Sequence, residues 1–136
     1  MALLSSWTLQ LSADDILRGQ GADPAVIRAR RPRLVDLAER ALEAGRGLLQ
    51  PRVAFSRLKV TGLRHERLTL DGGVLQGPLI AQHLAAAEDV AVMVCTVGDR
   101  LEAEVAQAMD EDPSYALAMD GVGSAAVEAL AAAACR

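Results

Sequence analysis

Aromatic residues are almost missing from this 136-residue chain: Trp7, Phe55 and Tyr115 make up 2% of it. A core without large rings must be built from Ala, Leu and Val through close helix contacts. The same scarcity argues against the stacking platforms that hold single-stranded nucleic acid. Cysteine is scarce as well, with Cys95 and Cys135 alone, and the simplest reading is a cytoplasmic protein with free thiols. Histidine is limited to His65 and His83, which lack metal-ligand spacing to each other or to the cysteines. Neither stands in the Asp-x-His-x-x-Gly pattern of cobalamin-ligating domains, so no metal or corrinoid is expected to be bound directly. No uninterrupted apolar run approaches the roughly 18 residues of a membrane span. The opening "MALLSSWTLQLSADD" has no basic region ahead of its short apolar stretch, so it is not read as a secretory signal.

Hydrophobic residues are plentiful at 51%, which argues for one folded domain over residues 1–136. The net charge of -4 is unevenly spread. Residues 1–68 hold twelve Lys/Arg and seven Asp/Glu, and residues 69–136 hold two and eleven. The halves are either self-complementary within one domain or form a polarised surface that steers a partner. The "RARRPR" run (Arg28 to Arg33) reads as a solvated helix end, with an acidic partner or nucleic acid as the sharper alternative.

Local signals sketch alternating helices and strands. "WTLQL" (Trp7 to Leu11) alternates like a short strand. Ser12 caps a first helix that stops at Gly19 and Gly21. Asp23 and Pro24 start a second, and Pro32 kinks or restarts the chain into a third. Leu34, Leu37, Ala38, Ala41 and Leu42 would form the buried face of that third helix. Residues 52–60 read as a strand. "RLTLDGGVLQ" reads as a hairpin turning at Asp71-Gly72, with positive φ available at both positions. Gly77-Pro78 opens a short helix to about Glu88. "VAVMVCTV" (Val90 to Val97) suits a strand covered on both faces. Asp99 and Glu102 resemble a capping box for the next helix, whose buried positions would be Leu101, Val105, Ala108 and Met109. Asp112-Pro113 starts the last helix. The predicted class is α+β, with helices packed on a mixed or antiparallel sheet.

Three places invite chemistry. Thr96-Val97-Gly98-Asp99 joins a strand to a helix, where free N–H groups can bind phosphate. One glycine, no following Lys and a carboxylate at Asp99 make it a structural turn instead. Cys95 beside it has acidic or apolar neighbours and no local His, which fits a small buried hydrophobe better than a nucleophile. In the last helix Met119, Val122, Ala126, Leu130 and Ala133 form an apolar stripe, while Asp120, Ser124 and Glu128 form a polar row at i, i+4 and i+8. Gly121 and Gly123 cost that helix about 1 kcal/mol each relative to alanine. Either a second helix or a ligand must approach closely there.

The stretch "CTVGDRLEAEV…DPSYALAMDGVGSAAVEAL" resembles the activation-domain-like family of cobalamin (vitamin B12)-dependent methionine synthase. The resemblance is carried by Thr96, Gly98 and Leu101-Glu102, then by Asp120, Gly123, Ser124, Ala126 and Glu128. "DDILRGQGADP" and "LLQPRVAFSRLKV" fit the amino-terminal half of such domains. The resemblance implies a methionine synthase activation domain-like α+β fold and a role in methionine biosynthesis, within a methyltransferase system. Such a domain supports S-adenosylmethionine (AdoMet)-dependent reductive methylation of cob(II)alamin. The implied partners are a cobalamin-binding methionine synthase or another corrinoid protein, and a flavodoxin-like electron donor; nucleic acid and membrane are not among them. Asp120, Gly123, Ser124 and Glu128 are the ligand or partner face it points to, with Cys95, Thr96 and Gly98 as a structural turn and no catalytic residue. AdoMet is the implied cofactor, and cobalamin enters only through the partner.

The sequence departs from the family pattern in one respect. The family's AdoMet cradle depends on a later segment with an Arg and a Pro-Gly-Tyr turn, and no Pro-Gly-Tyr occurs here. The chain is therefore expected to lack the carboxyl-terminal third of the domain and not to bind AdoMet alone. The alternative reading is a non-enzymatic protein-interaction module on the same scaffold that has lost the AdoMet site.

Overall fold

A computed structural model describes residues 2–136. In chain order the elements are β1 (Ala2–Leu4), α1 (Ala13–Gly19), α2 (Pro24–Arg30), α3 (Pro32–Arg46), β2 (Arg52–Arg64), β3 (Arg67–Leu70), β4 (Gly73–Gln76), α4 (Pro78–Leu84), β5 (Asp89–Thr96), α5 (Arg100–Glu111) and α6 (Pro113–Ala134). The class is α+β, as predicted, with a five-stranded sheet. The chain forms two compact units: a sheet unit of residues 2–3 and 54–94, and a helical unit of residues 4–53 and 95–136.

The helical unit is organised around α6, which packs against α1, α3 and α5. Local chemistry sets the helix starts. Ser12 Oγ accepts from the Asp15 N–H at 3.3 Å, and the Asp15 carboxylate accepts from the Ser12 N–H at 2.9 Å, a reciprocal capping box. Asp23 and Asp112 cap α2 and α6, each followed by proline at a position with no intrahelical bond to lose. Pro32 restarts the chain as the first residue of α3.

Ile16, Leu17, Ala38, Ala41, Met119, Val122 and Leu130 are buried in this unit. The α6 stripe is buried at Met119, Val122, Ala126 and Leu130. On α3, Val35 is buried where Leu34 was expected, because the packed face is rotated by one residue toward Val35, Ala38, Leu42 and Gly45. On α5, Leu101 and Ala108 are buried while Met109 is exposed.

Glycines permit the closest crossings. A Cβ on Gly121 would stand 2.9 Å from the Ile16 carbonyl oxygen and 2.8 Å from Gln20 Cγ. One on Gly19 would stand 2.8 Å from the Gly121 carbonyl oxygen. The crossing of α1 and α6 is thus a glycine-on-glycine contact, which offsets the helix-propensity cost of Gly121. α6 is long and apolar enough to cross a membrane by length and composition, but its buried stripe packs on three helices as a core helix does.

In the sheet unit β2 pairs antiparallel with β3, and β3 with β4. The β2–β3 register shifts between Val60 and Gly62, where Thr61 Oγ1 donates to the Thr69 carbonyl at 3.2 Å. Leu68 and Leu70 are buried on one face of β3, which α4 contacts. β5 pairs with β2.

Several expectations are corrected. Trp7 to Leu11 is not a strand; the chain is irregular there, and the Trp7 indole N–H donates to the Leu4 carbonyl at 3.2 Å. Alternation alone cannot make a strand without a neighbouring edge to pair with. β2 runs on to Arg64, beyond the expected end at residue 60. A second hairpin therefore turns at His65-Glu66, with φ of 51° and 64°. In the Asp71-Gly72 turn only Gly72, at φ 99°, is left-handed. The short helix after Gly77 ends at Leu84. β5 forms as expected, but the face that carries Val92 and Val94 is not covered: Val94 is 67% and Val92 39% exposed. Asp99 makes no side-chain cap bond, so the expected box with Glu102 is absent.

Candidate functional site

Four of the residues singled out in the sequence, Gly98, Asp120, Gly123 and Ser124, converge on a groove inside the helical unit, between α5 and α6. Its volume is about 380 Å³. The turn after β5 closes one end. Thr96 Oγ1 accepts from the Gly98 N–H at 3.0 Å, and the Gln50 N–H donates to the Val97 carbonyl at 2.8 Å. Gly98 has φ 83°, and a Cβ there would lie 2.7 Å from Gln50 Oε1. Both the left-handed backbone and the space demand glycine. Thr96 and Gly98 therefore form a structural turn, with the Gly98 backbone at the groove.

From this turn α5 projects Leu101, Glu102 and Val105 along one wall. The other wall is Asp120, Gly123, Ser124 and Val127 of α6. The missing side chain at Gly123 brings α6 close to Leu101, whose Cδ2 would be 3.0 Å from an added Cβ. The floor is apolar, from Val97, Leu101, Val105 and Val127. The polar groups are two carboxylates and one hydroxyl: Glu102, Asp120 and Ser124. No Lys, Arg or His lines it.

Such a lining suits a cation or a neutral hydrogen-bond donor with an apolar body. Phosphate or carboxylate would meet like charge and no compensating donor. The ion pairs among the described residues are Arg18–Asp15, Arg28–Asp14 and Arg57–Asp89, so neither groove carboxylate is neutralised by a side chain.

Asp120, Gly123 and Ser124 thus share one groove with Gly98. Glu128 does not: it lines a separate hollow with Gln10, Leu11, Asp15, Arg18, Ala125 and Ala129. At about 100° per residue, positions i and i+8 are roughly 80° apart around a straight helix. The row read at i, i+4 and i+8 therefore winds away from α5 before it reaches Glu128. Cys95 is half-buried, Cys135 is exposed, both are free, and neither lines the groove. Among the described residues no three His, Cys, Asp or Glu side chains converge as a metal would need.

Sequence reasoning missed Glu102, Val105 and Val127 as groove residues. Glu102 was assigned to a capping box, and the absence of that box leaves its carboxylate free to line the wall. The i, i+3 spacing of Glu102 and Val105, matched by Ser124 and Val127 on the next helix, is the signal that could have found them. No protein-family model matches the chain, and no curated protein matches it.

Proposed function

We propose that the chain is an activation-domain-like accessory of cobalamin-dependent methionine synthase, working in the cytoplasm to support AdoMet-dependent reductive methylation of cob(II)alamin. One observation carries this reading. Gly98, Asp120, Gly123 and Ser124, residues from two separate motifs of the family resemblance, line a single groove. The corrinoid belongs to the partner, and a flavodoxin-like donor supplies the electron.

The groove matches AdoMet at one end only. Glu102 and Asp120 suit a sulfonium charge, while the amino-acid carboxylate finds no Arg, Lys or His in the lining. The residues present do not fit the whole cofactor, so no methyl-transfer step is assigned to them. The chain alone binds AdoMet weakly or not at all. The same gap favours the second reading, a non-enzymatic interaction module on this scaffold.

Adding the chain to a corrinoid methionine synthase stalled as cob(II)alamin, with AdoMet and a reductant, separates the two. Recovery of turnover is expected, with calorimetry showing no micromolar AdoMet binding by the chain alone. No recovery would leave the interaction module. Micromolar binding would place the cofactor in a site other than the one described.

A further inference from the structure

With only Asp112 between them, α5 and α6 fold back on each other, and the groove lies in their seam. Its walls are helical stripes. Glu102 and Val105 line it from α5, and Met109 stands next on the same stripe, the three at i, i+3 and i+7. Asp120, Ser124 and Val127 line it from α6, and Leu117 stands three residues ahead of Asp120 on that stripe. Met109 is 41% and Leu117 54% exposed. Helical spacing thus carries the apolar floor past the groove, toward Asp112, onto two large side chains left open to solvent.

The charge on these helices has one sign. Residues 99–134 hold eight Asp/Glu against Arg100 alone. No ion pair among the described residues involves them. Carboxylates this dense repel one another, and an occupant that brings positive charge relieves the repulsion. Glu102 and Asp120 face the groove from opposite walls. An anionic occupant would meet like charge there, and a wholly apolar one would desolvate both carboxylates without pairing them. An occupant of this groove must therefore be apolar along one stripe and basic along its flanks.

We propose that the α5–α6 groove docks a basic amphipathic helix of a partner protein. Its apolar stripe lies against Val105, Met109, Leu117 and Val127, and its Lys or Arg side chains reach Glu102 and Asp120. Long basic side chains meet both demands, since their methylene stems lie on apolar surface while the charged end pairs with a carboxylate. α5 has 12 residues, which gives the seam a length of about 18 Å at 1.5 Å per residue, or about three turns of an incoming helix. A small cation would fill the groove and leave Met109 and Leu117 bare. This docking rests on the interaction-module reading and gives it a partner chemistry.

Fluorescence anisotropy of the full chain with a labelled synthetic peptide tests this. The peptide is a helix of about 18 residues, with Leu at i, i+3, i+7 and i+10 and Lys on both flanks. It should bind with Kd of about 10 µM and lose roughly tenfold in affinity between about 0.05 and 0.5 M salt. Glu102→Gln with Asp120→Asn should weaken binding on the order of 10-fold while the far-UV circular dichroism stays unchanged. Glu104→Gln with Glu111→Gln removes the same charge from the opposite side of α5 and should change affinity less than about twofold. Leu117→Lys, at an exposed position, gives an independent reading and should also weaken binding on the order of 10-fold. A scrambled peptide of the same composition that binds as tightly, or equal losses in the two double variants, would reduce the face to diffuse acidity and overturn the proposal. So would a mass that rises from 14.3 kDa toward twice that value with concentration and falls back in the Glu102/Asp120 variant, because the groove would then hold arginines of a second copy. The titration contains neither corrinoid nor AdoMet, so its failure is distinct from a failure to recover the stalled synthase.

Discussion

At the scale of single residues, the two glycines of α6 look alike in sequence and differ in what surrounds them. Gly121 faces the backbone of α1, which cannot move aside, whereas Gly123 faces only the tip of Leu101. Gly121→Ala should therefore destabilise by about 1–3 kcal/mol through overpacking, even after the gain in helix propensity. Gly123→Ala should be within about 1 kcal/mol of neutral, since that gain offsets a small shift of Leu101. Urea midpoints of the two variants check the ranking, and equal midpoints would contradict it. His65 and Glu66 are another unequal pair. Both occupy left-handed backbone in a two-residue hairpin, where Asn-Gly is strongly preferred. Replacing them by Asn and Gly should stabilise the protein by about 1 kcal/mol. A lower thermal midpoint would show that these side chains hold contacts worth more than the backbone strain. This turn was illegible in the sequence because neither residue belongs to the usual turn formers.

At the scale of elements, the helix boundaries were the most legible features, since caps act within three or four residues. Ser12, Asp23-Pro24 and Asp112-Pro113 all stand where local chemistry places them. Ser12→Ala removes the hydroxyl half of the α1 box and should cost about 1 kcal/mol, read as a shift in the denaturation midpoint. The expected box at Asp99 and Glu102 failed although its spacing is right, because the residue pattern permits a box without requiring one. Strands were less legible. Residues 7–11 alternate without pairing, and the covered faces expected of β5 depend on what lies against it, which its own eight residues do not encode. The groove was half legible. Gly98, Asp120, Gly123 and Ser124 carried motif signals, while Glu102, Val105 and Val127 joined them only once two helices were set side by side. Glu128 was lost to the pitch of the helix.

At the scale of the whole molecule, burial is concentrated in the helical unit, which holds eighteen of the twenty buried hydrophobic residues. Its amides, those of α6 above all, should be the last to exchange with solvent, and those of β3 and β4 among the first. Uniform protection across both units would contradict this. The few aromatic rings have an optical corollary. The one indole, Trp7, stands in the irregular stretch before α1, tied to the Leu4 carbonyl and lining a shallow hollow with Arg46, Leu49 and Pro51. Tryptophan emission therefore reports the release of that tether, while ellipticity at about 222 nm follows the helices. Coincident melts by the two signals would mean that the leading segment and the helix bundle come apart together. An emission change that precedes the loss of ellipticity would reveal a state with its front end loose and its bundle intact.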